Sequence, residues 1–95
     1  MKSYELTLVV KPELAKDKQE GIVAGLKKQI EAADGKIDKV DDCGKKELAY
    51  PIDGFSEGAY FFMIFSIPAQ ELAALEKNVR LNDNVIRHLI VSKEE

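Results

Sequence analysis

The run Ala59-Tyr60-Phe61-Phe62-Met63-Ile64-Phe65-Ser66-Ile67 is apolar at nearly every position. It is far shorter than the roughly 18 residues of a membrane span. Gly58 precedes it and Pro68 follows it. A short apolar run between such breakers reads as a strand covered on both faces or central in a sheet. Phe61, Met63, Phe65 and Ile67 form one face, and Tyr60, Phe62 and Ile64 form the other. The rest of the chain must supply neighbours for this strand on both sides.

Residues Ser3 to Val10 supply one. Tyr4, Leu6, Leu8 and Val10 alternate with Ser3, Glu5, Thr7 and Val9, the pattern of a half-buried strand. Lys11-Pro12-Glu13 ends it, because proline cannot donate to a ladder. From Lys16 to Ala33 the period becomes helical, with Ile22, Val23, Leu26, Ile30 and Ala33 on one face. Gly21 and Gly25 weaken that helix by about 1 kcal/mol each relative to alanine, unless they allow close helix–sheet approach. Asp34-Gly35 supplies a C-terminal stop.

Lys36 to Ile52 reads as a long, irregular strand. The odd spacing of Ile37 and Val40 predicts a bulge, and Gly44 is a second point of twist. Leu48, Tyr50 and Ile52 alternate and are candidates for packing. Asp53 to Gly58 reads as a turn or short loop. Pro68 opens a second helix with the stripe Leu72, Leu75 and Val79, and Arg80 ends it. Leu81-Asn82-Asp83-Asn84 is a polar break, and Val85 to Lys93 is the last strand.

The order strand, helix, strand, strand, helix, strand gives an α+β fold, residues 1–95 forming one ferredoxin-like domain. It is the split βαβ arrangement (βαββαβ): a four-stranded antiparallel sheet with two helices on one face. Right-handed crossovers put the first and third strands in the centre and leave the second and fourth as edges.

Composition narrows the function. The chain is 45% hydrophobic and 33% charged, the balance of a soluble globular protein. Its N-terminus lacks the apolar core of a signal peptide, so the expected compartment is the cytosol. One cysteine and one histidine fill no metal shell and form no internal disulfide. No metal or other cofactor is expected. The net charge of −3 argues against indiscriminate polyanion binding, but not against a local basic patch.

Nothing points to catalysis. Nucleophile elbow, P-loop and dinucleotide fingerprint are all missing from the sequence. His88 stands alone and reads as structural or surface. Asp41 and Asp42 are strand neighbours that point to opposite faces. Cys43 has no obvious feature to activate it and reads as a buried or inert thiol. An acylphosphatase-like anion loop would need arginine where Val10-Lys11-Pro12-Glu13 stands.

Two features instead point to partners. If the helices cover Phe61, Met63 and Phe65, then Tyr60, Phe62, Ile64, Thr7 and Val9 face outward as a partly aromatic patch, which either meets a partner or is covered by terminal segments or a twin subunit. RNA-recognition motifs use such a face for stacking, but Glu57-Gly58-Ala59-Tyr60-Phe61-Phe62 matches their third-strand signature only weakly. Lys2, Lys45, Lys46, Arg87 and Lys93 lie at strand starts and on expected edge strands. Such cations either guard edges against aggregation or neutralise phosphates. Gly44-Lys45-Lys46-Glu47-Leu48-Ala49-Tyr50-Pro51-Ile52 combines a basic pair with an apolar strand end, as an edge element meeting a partner would.

That run carries a resemblance. With Tyr4-Glu5, Gly35-Lys36-Ile37, Pro68 and Arg80-Leu81-Asn82-Asp83-Asn84-Val85-Ile86-Arg87, it resembles the bacterial small-subunit ribosomal protein S-six family. The segments occur in family order along essentially the whole chain. The resemblance implies the same fold and a structural, non-catalytic role in the small ribosomal subunit in the cytoplasm. It implies binding to small-subunit ribosomal RNA in its central domain, as a heterodimer with the small basic ribosomal protein S-eighteen. Lys2, Lys45, Lys46, Arg87 and Lys93 become RNA-contact candidates, and Tyr50, Pro51, Tyr60 and Phe62 become partner-contact candidates. No membrane and no small-molecule substrate are implied. The chain departs from the family in the acidic loop Asp53-Gly54-Phe55-Ser56-Glu57 and at Glu47, where some relatives carry another cation. The alternative is a ferredoxin-like regulatory module that dimerises around a metabolite, which would need a convergent polar pocket.

Overall fold

A computed structural model describes residues 2–52 and 54–93 of the chain. Strand β1 spans Lys2–Val10, helix α1 Lys16–Ala32, strand β2 Lys36–Ile52 and strand β3 Phe55–Ile67. A single 3-10 turn, Ala69–Glu71, leads into helix α2, Leu72–Leu81, and strand β4 spans Val85–Ser92. The four strands form one antiparallel sheet in the order β2-β3-β1-β4. This is the expected split βαβ arrangement, with β1 and β3 central.

The core follows from alternation. Leu6 stands opposite Met63 on one side and Ile90 on the other, and Leu8 stands opposite Phe61. Tyr4, Leu6, Leu8, Val10, Phe61, Met63, Phe65 and Ile67 are buried on the helix side of the sheet. Val23, Leu26 and Ile30 of α1 and Leu75 and Val79 of α2 close over them. Each large aliphatic or aromatic side chain so buried contributes about 1.5–3 kcal/mol.

Helix α1 ends through its backbone. Asp34 adopts the left-handed conformation at φ 64°, its N–H reaches the Glu31 carbonyl, and the Gly35 N–H reaches Ile30 at 2.8 Å. These two bonds make a Schellman motif. Gly35 is required for space. A Cβ there would lie 2.6 Å from Ile30 Cγ2 and 2.7 Å from both the Ile30 and Ser66 carbonyl oxygens.

The β2–β3 ribbon is irregular where expected. Its register shifts between Ile37 and Lys39, between Asp42 and Gly44, and again between Glu47 and Ile52. Gly44 takes φ 76°, and its N–H donates to Asp42 Oδ1 at 3.0 Å. The loop expected before Ala59 is shorter than the sequence suggests. β3 already begins at Phe55, paired with Ile52, and Gly54 turns the chain at φ 82°. Asp53, part of the expected acidic loop, lies outside the described residues.

Several expectations need correction. Cys43 is exposed, because it lies on the outer strand β2. Tyr50 is 59% exposed and Leu48 only half-buried, because the ribbon runs beyond the helix-covered part of the sheet. Val9, expected to be exposed on the helix-free face, is buried. Its Cγ1 occupies the space that a Cβ at Gly58 would need, and Leu48 closes in beside it. Gly21 and Gly25 serve no close approach. An added Cβ would meet nothing within 4 Å at either, and both line an open groove between α1 and α2. His88 stands opposite Leu8 and faces the helices, its Nε2 3.8 Å from Glu76 Oε2.

Candidate nucleic-acid interface

The two helices cover one side of the sheet and leave the other bare. β1 presents Glu5, Thr7 and Val9 there, β3 presents Tyr60, Phe62 and Ile64, and β4 presents Arg87, Leu89 and Val91. The residues of the central strands expected on this side do face it, although Val9 is buried there. The sequence reading missed the apolar contribution of β4, where Leu89 is 54% and Val91 45% exposed. The alternation Arg87, Leu89, Val91 is a signal that could have found it.

The basic pair is divided by the strand pleat. Lys45 stands opposite Ala59, a buried residue of the helix side, and its neighbours there include Lys16 and Asp42. Lys46 stands opposite Gly58 and turns to the bare face, with its Nζ 5.9 Å from the centre of the Tyr60 ring. That distance is within reach of a cation–π attraction. Tyr50 turns the same way. Its hydroxyl accepts a hydrogen bond from Arg87 Nη1 at 3.3 Å, from the opposite edge of the sheet. The ribbon must curl back over the end of the bare face for this contact to form.

Lys46, Tyr50, Tyr60 and Arg87 are thus brought together at one end of that face. A shallow cavity of about 130 Å³ opens among Thr7, Val9, Tyr60, Arg87, His88 and Leu89. A further cation not singled out by the sequence, Lys11, lies with its Nζ 5.9 Å from the Phe55 ring. Phe62 sits farther along β3, opposite Thr7, and Pro51 is exposed near the tip of the ribbon. Lys2 and Lys93 are not part of this cluster. Lys2 starts β1, and the Lys93 N–H donates to the Ser3 carbonyl at 2.9 Å. From Ser3 to Val9 the strand rises about 20 Å, which separates the two cationic ends of the sheet.

Neither Lys46 nor Arg87 forms a salt bridge among the described residues. The ion pairs lie elsewhere, joining Lys16 to Asp42, Lys39 to Asp41 and His88 to Glu76. The hydrogen bond from Lys16, helped by the Gly44 N–H, holds the Asp42 carboxyl below its usual value, and Asp42 in turn raises Lys16. Across the ribbon Glu47 stands directly opposite Glu57, a like-charge pair on the side away from Lys46.

Other kinds of site find no support. No group of three or more potential metal ligands occurs among the described residues. No buried side-chain polar atom among them lacks a partner, so nothing is aimed unpaired into an enclosed ligand pocket. Among the described residues no helix is long and apolar enough to cross a membrane.

Comparison with known proteins agrees with this architecture. The family described as ribosomal protein S6 matches residues 3–92. Small ribosomal subunit protein bS6 of Clostridioides difficile is 43% identical over 91 residues, covering 96% of this chain and 98% of that protein. The bS6 of Geotalea daltonii is 36% identical over 95 residues, covering 100% of this chain and 74% of that protein. The crystal structure of 30S ribosomal protein S6 from Thermotoga maritima superposes with a TM-score of 0.92 at 33% identity, covering 97% of this chain and 87% of that one. The C-terminal domain of the MgtC protein from Mycobacterium tuberculosis shares the fold alone, with a TM-score of 0.67 at 11% identity. The chain therefore belongs to the ribosomal protein S6 family, and is a structural, non-enzymatic component of the small ribosomal subunit in the cytoplasm.

Proposed function

We propose that the chain binds small-subunit ribosomal RNA in its central domain as a heterodimer with the basic ribosomal protein S-eighteen. One observation carries this reading. Lys46 and Arg87, from strands on opposite edges, reach the same end of the one sheet face that no helix covers. Cations held so, without a carboxylate partner among the described residues, suit phosphate contacts. Lys2 and Lys93 give RNA a second point of attachment at the far end, and Lys45 serves a strand passing the outer edge of β2.

The partner protein covers the apolar remainder of the face: Phe62 and Val91, together with the exposed tip around Tyr50 and Pro51. Exposed apolar area of this kind is the usual mark of a protein interface. Charge supports the order of assembly. A chain of net charge −3 attracts a basic partner first, and the pair then presents cations to RNA.

Gel-shift titration of a central-domain ribosomal RNA fragment tests this, with the chain alone, the partner alone and both together. Tight binding is expected only for the pair, with affinity falling steeply as salt rises. Tight, specific binding by the lone chain would remove the heterodimer reading. The absence of binding by the pair would remove the RNA reading itself.

A further inference from the structure

We infer that the cavity beside Tyr60 receives one unpaired RNA nucleotide, its base stacked on the Tyr60 ring and its phosphate held by Lys46 and Arg87. This rests on the RNA-binding reading above and sharpens it, because it specifies a flipped-out, single-stranded nucleotide in place of a duplex backbone.

The geometry carries the inference in three steps. Tyr60 is only partly buried, although it lies on a central strand, so one face of its ring is reachable from the helix-free side. The cavity bordering it is lined by Thr7, Val9, Tyr60, Arg87, His88 and Leu89, and its walls are mostly apolar. A cavity of about 130 Å³ has room for one planar ring system. Two cations flank the same ring. Lys46 stands over it at 5.9 Å, and Arg87 lines the same cavity.

An aromatic face with flanking cations is the common chemistry of single-stranded nucleic-acid binding, where stacking tolerates any base. Duplex RNA offers no free base to such a site, because its bases are already stacked and paired. The Lys46 side chain is flexible and exposed, so its ammonium can follow the phosphate while a base takes its place over the ring. Tyr50 helps as a positioning residue, because its hydroxyl accepts the Arg87 hydrogen bond and holds the guanidinium at the cavity rim.

The test uses the full chain with its protein partner at saturating concentration and a central-domain RNA fragment carrying 5-iodouridine at its unpaired positions. Irradiation is expected to cross-link Tyr60, identified by mass spectrometry of the digested protein. Tyr60→Phe, which keeps the stacking face, should bind RNA as the parent does. Tyr60→Leu should lose roughly tenfold or more in RNA affinity, with an unchanged salt slope. Lys46→Ala should instead lower the salt slope by about one.

Wild-type binding with Tyr60→Leu equally tight overturns the stacked nucleotide and leaves the RNA reading standing. Loss of partner affinity alone in Tyr60→Leu overturns it too, and gives Tyr60 to the protein interface. Failure of the wild-type pair to bind the fragment overturns both readings. Circular dichroism and thermal melting of each variant separate a binding defect from a folding defect.

Discussion

Arg87 on β4 donates a hydrogen bond to the Tyr50 hydroxyl on β2 at 3.3 Å, although these strands are the two opposite edges of the sheet. The contact ties the curled ribbon to the far side of the bare face. Tyr50→Phe removes the acceptor. Hydrogen exchange in residues 48–52 should quicken, while global stability falls by no more than about 1 kcal/mol, the net worth of one such bond. Unchanged exchange would mean that backbone pairing alone fixes the curl.

Lys45 and Lys46 should differ although they are neighbours. Lys46→Ala should weaken RNA binding by the heterodimer and reduce its salt dependence, while Lys45→Ala does so more weakly, because it faces the other side of the ribbon. Both should melt within about 0.5 kcal/mol of wild type, as surface changes do. Equal losses of affinity would place RNA on both faces of the ribbon.

The end of α1 offers a pair of opposed effects. Asp34→Gly should stabilise the protein by roughly 0.5–1 kcal/mol in urea denaturation, because glycine adopts a positive φ without the penalty of a Cβ. Gly35→Ala, one residue on, should destabilise it by about 1–3 kcal/mol, since backbone oxygens at 2.7 Å cannot move aside cheaply.

The sequence reading succeeded where periodicity alone decides the outcome. Leu75 and Val79 form the buried stripe of α2, and Tyr4, Leu6, Leu8 and Val10 alternate into the core as their spacing requires. The long irregular β2 and a point of twist at Gly44 were also readable, from broken alternation and a lone glycine. The clustering at the candidate site was not. It depends on how far the ribbon curls, which follows from the register shift between Glu47 and Ile52. Leu48 shows the same limit. Its alternation with Ile52 suggested burial, but the ribbon carries it beyond the helices, where it is only half covered.

Leu75→Ala and Leu48→Ala measure that difference. The first empties a fully buried site and should cost about 2–5 kcal/mol in chemical denaturation. The second should cost distinctly less, because water already reaches the side chain. Similar losses would mean that the ribbon packs as tightly as the core.

The Lys16–Asp42 pair sets a direction with pH. Asp42 is held below its usual value in the folded protein, so its contribution is present above its unfolded pKa and lost as pH falls through the folded one. Lys16 is raised, so its contribution is present below its unfolded pKa and lost as pH rises through the folded one. Both groups are exposed, so the effect on stability is small and screened by salt. Carbon-detected NMR should find the Asp42 midpoint rising towards its ordinary value in Lys16→Ala. A midpoint that does not move would assign the depression to the Gly44 N–H alone.

The strand order β2-β3-β1-β4 also sets a timetable for synthesis. β1 precedes every other element in the chain, yet the strands that hydrogen-bond to it, β3 and β4, are translated after both β2 and α1. A nascent chain that has emerged only as far as α1 holds the alternating residues Tyr4 to Val10 with no strand to pair against. One that ends after β3 still leaves an entire side of β1 open, where Val85 to Ser92 belong. Closure of the sheet therefore waits for the last strand, and until then the most apolar segments of the chain depend on whatever shields them at the exit of the ribosome that made them.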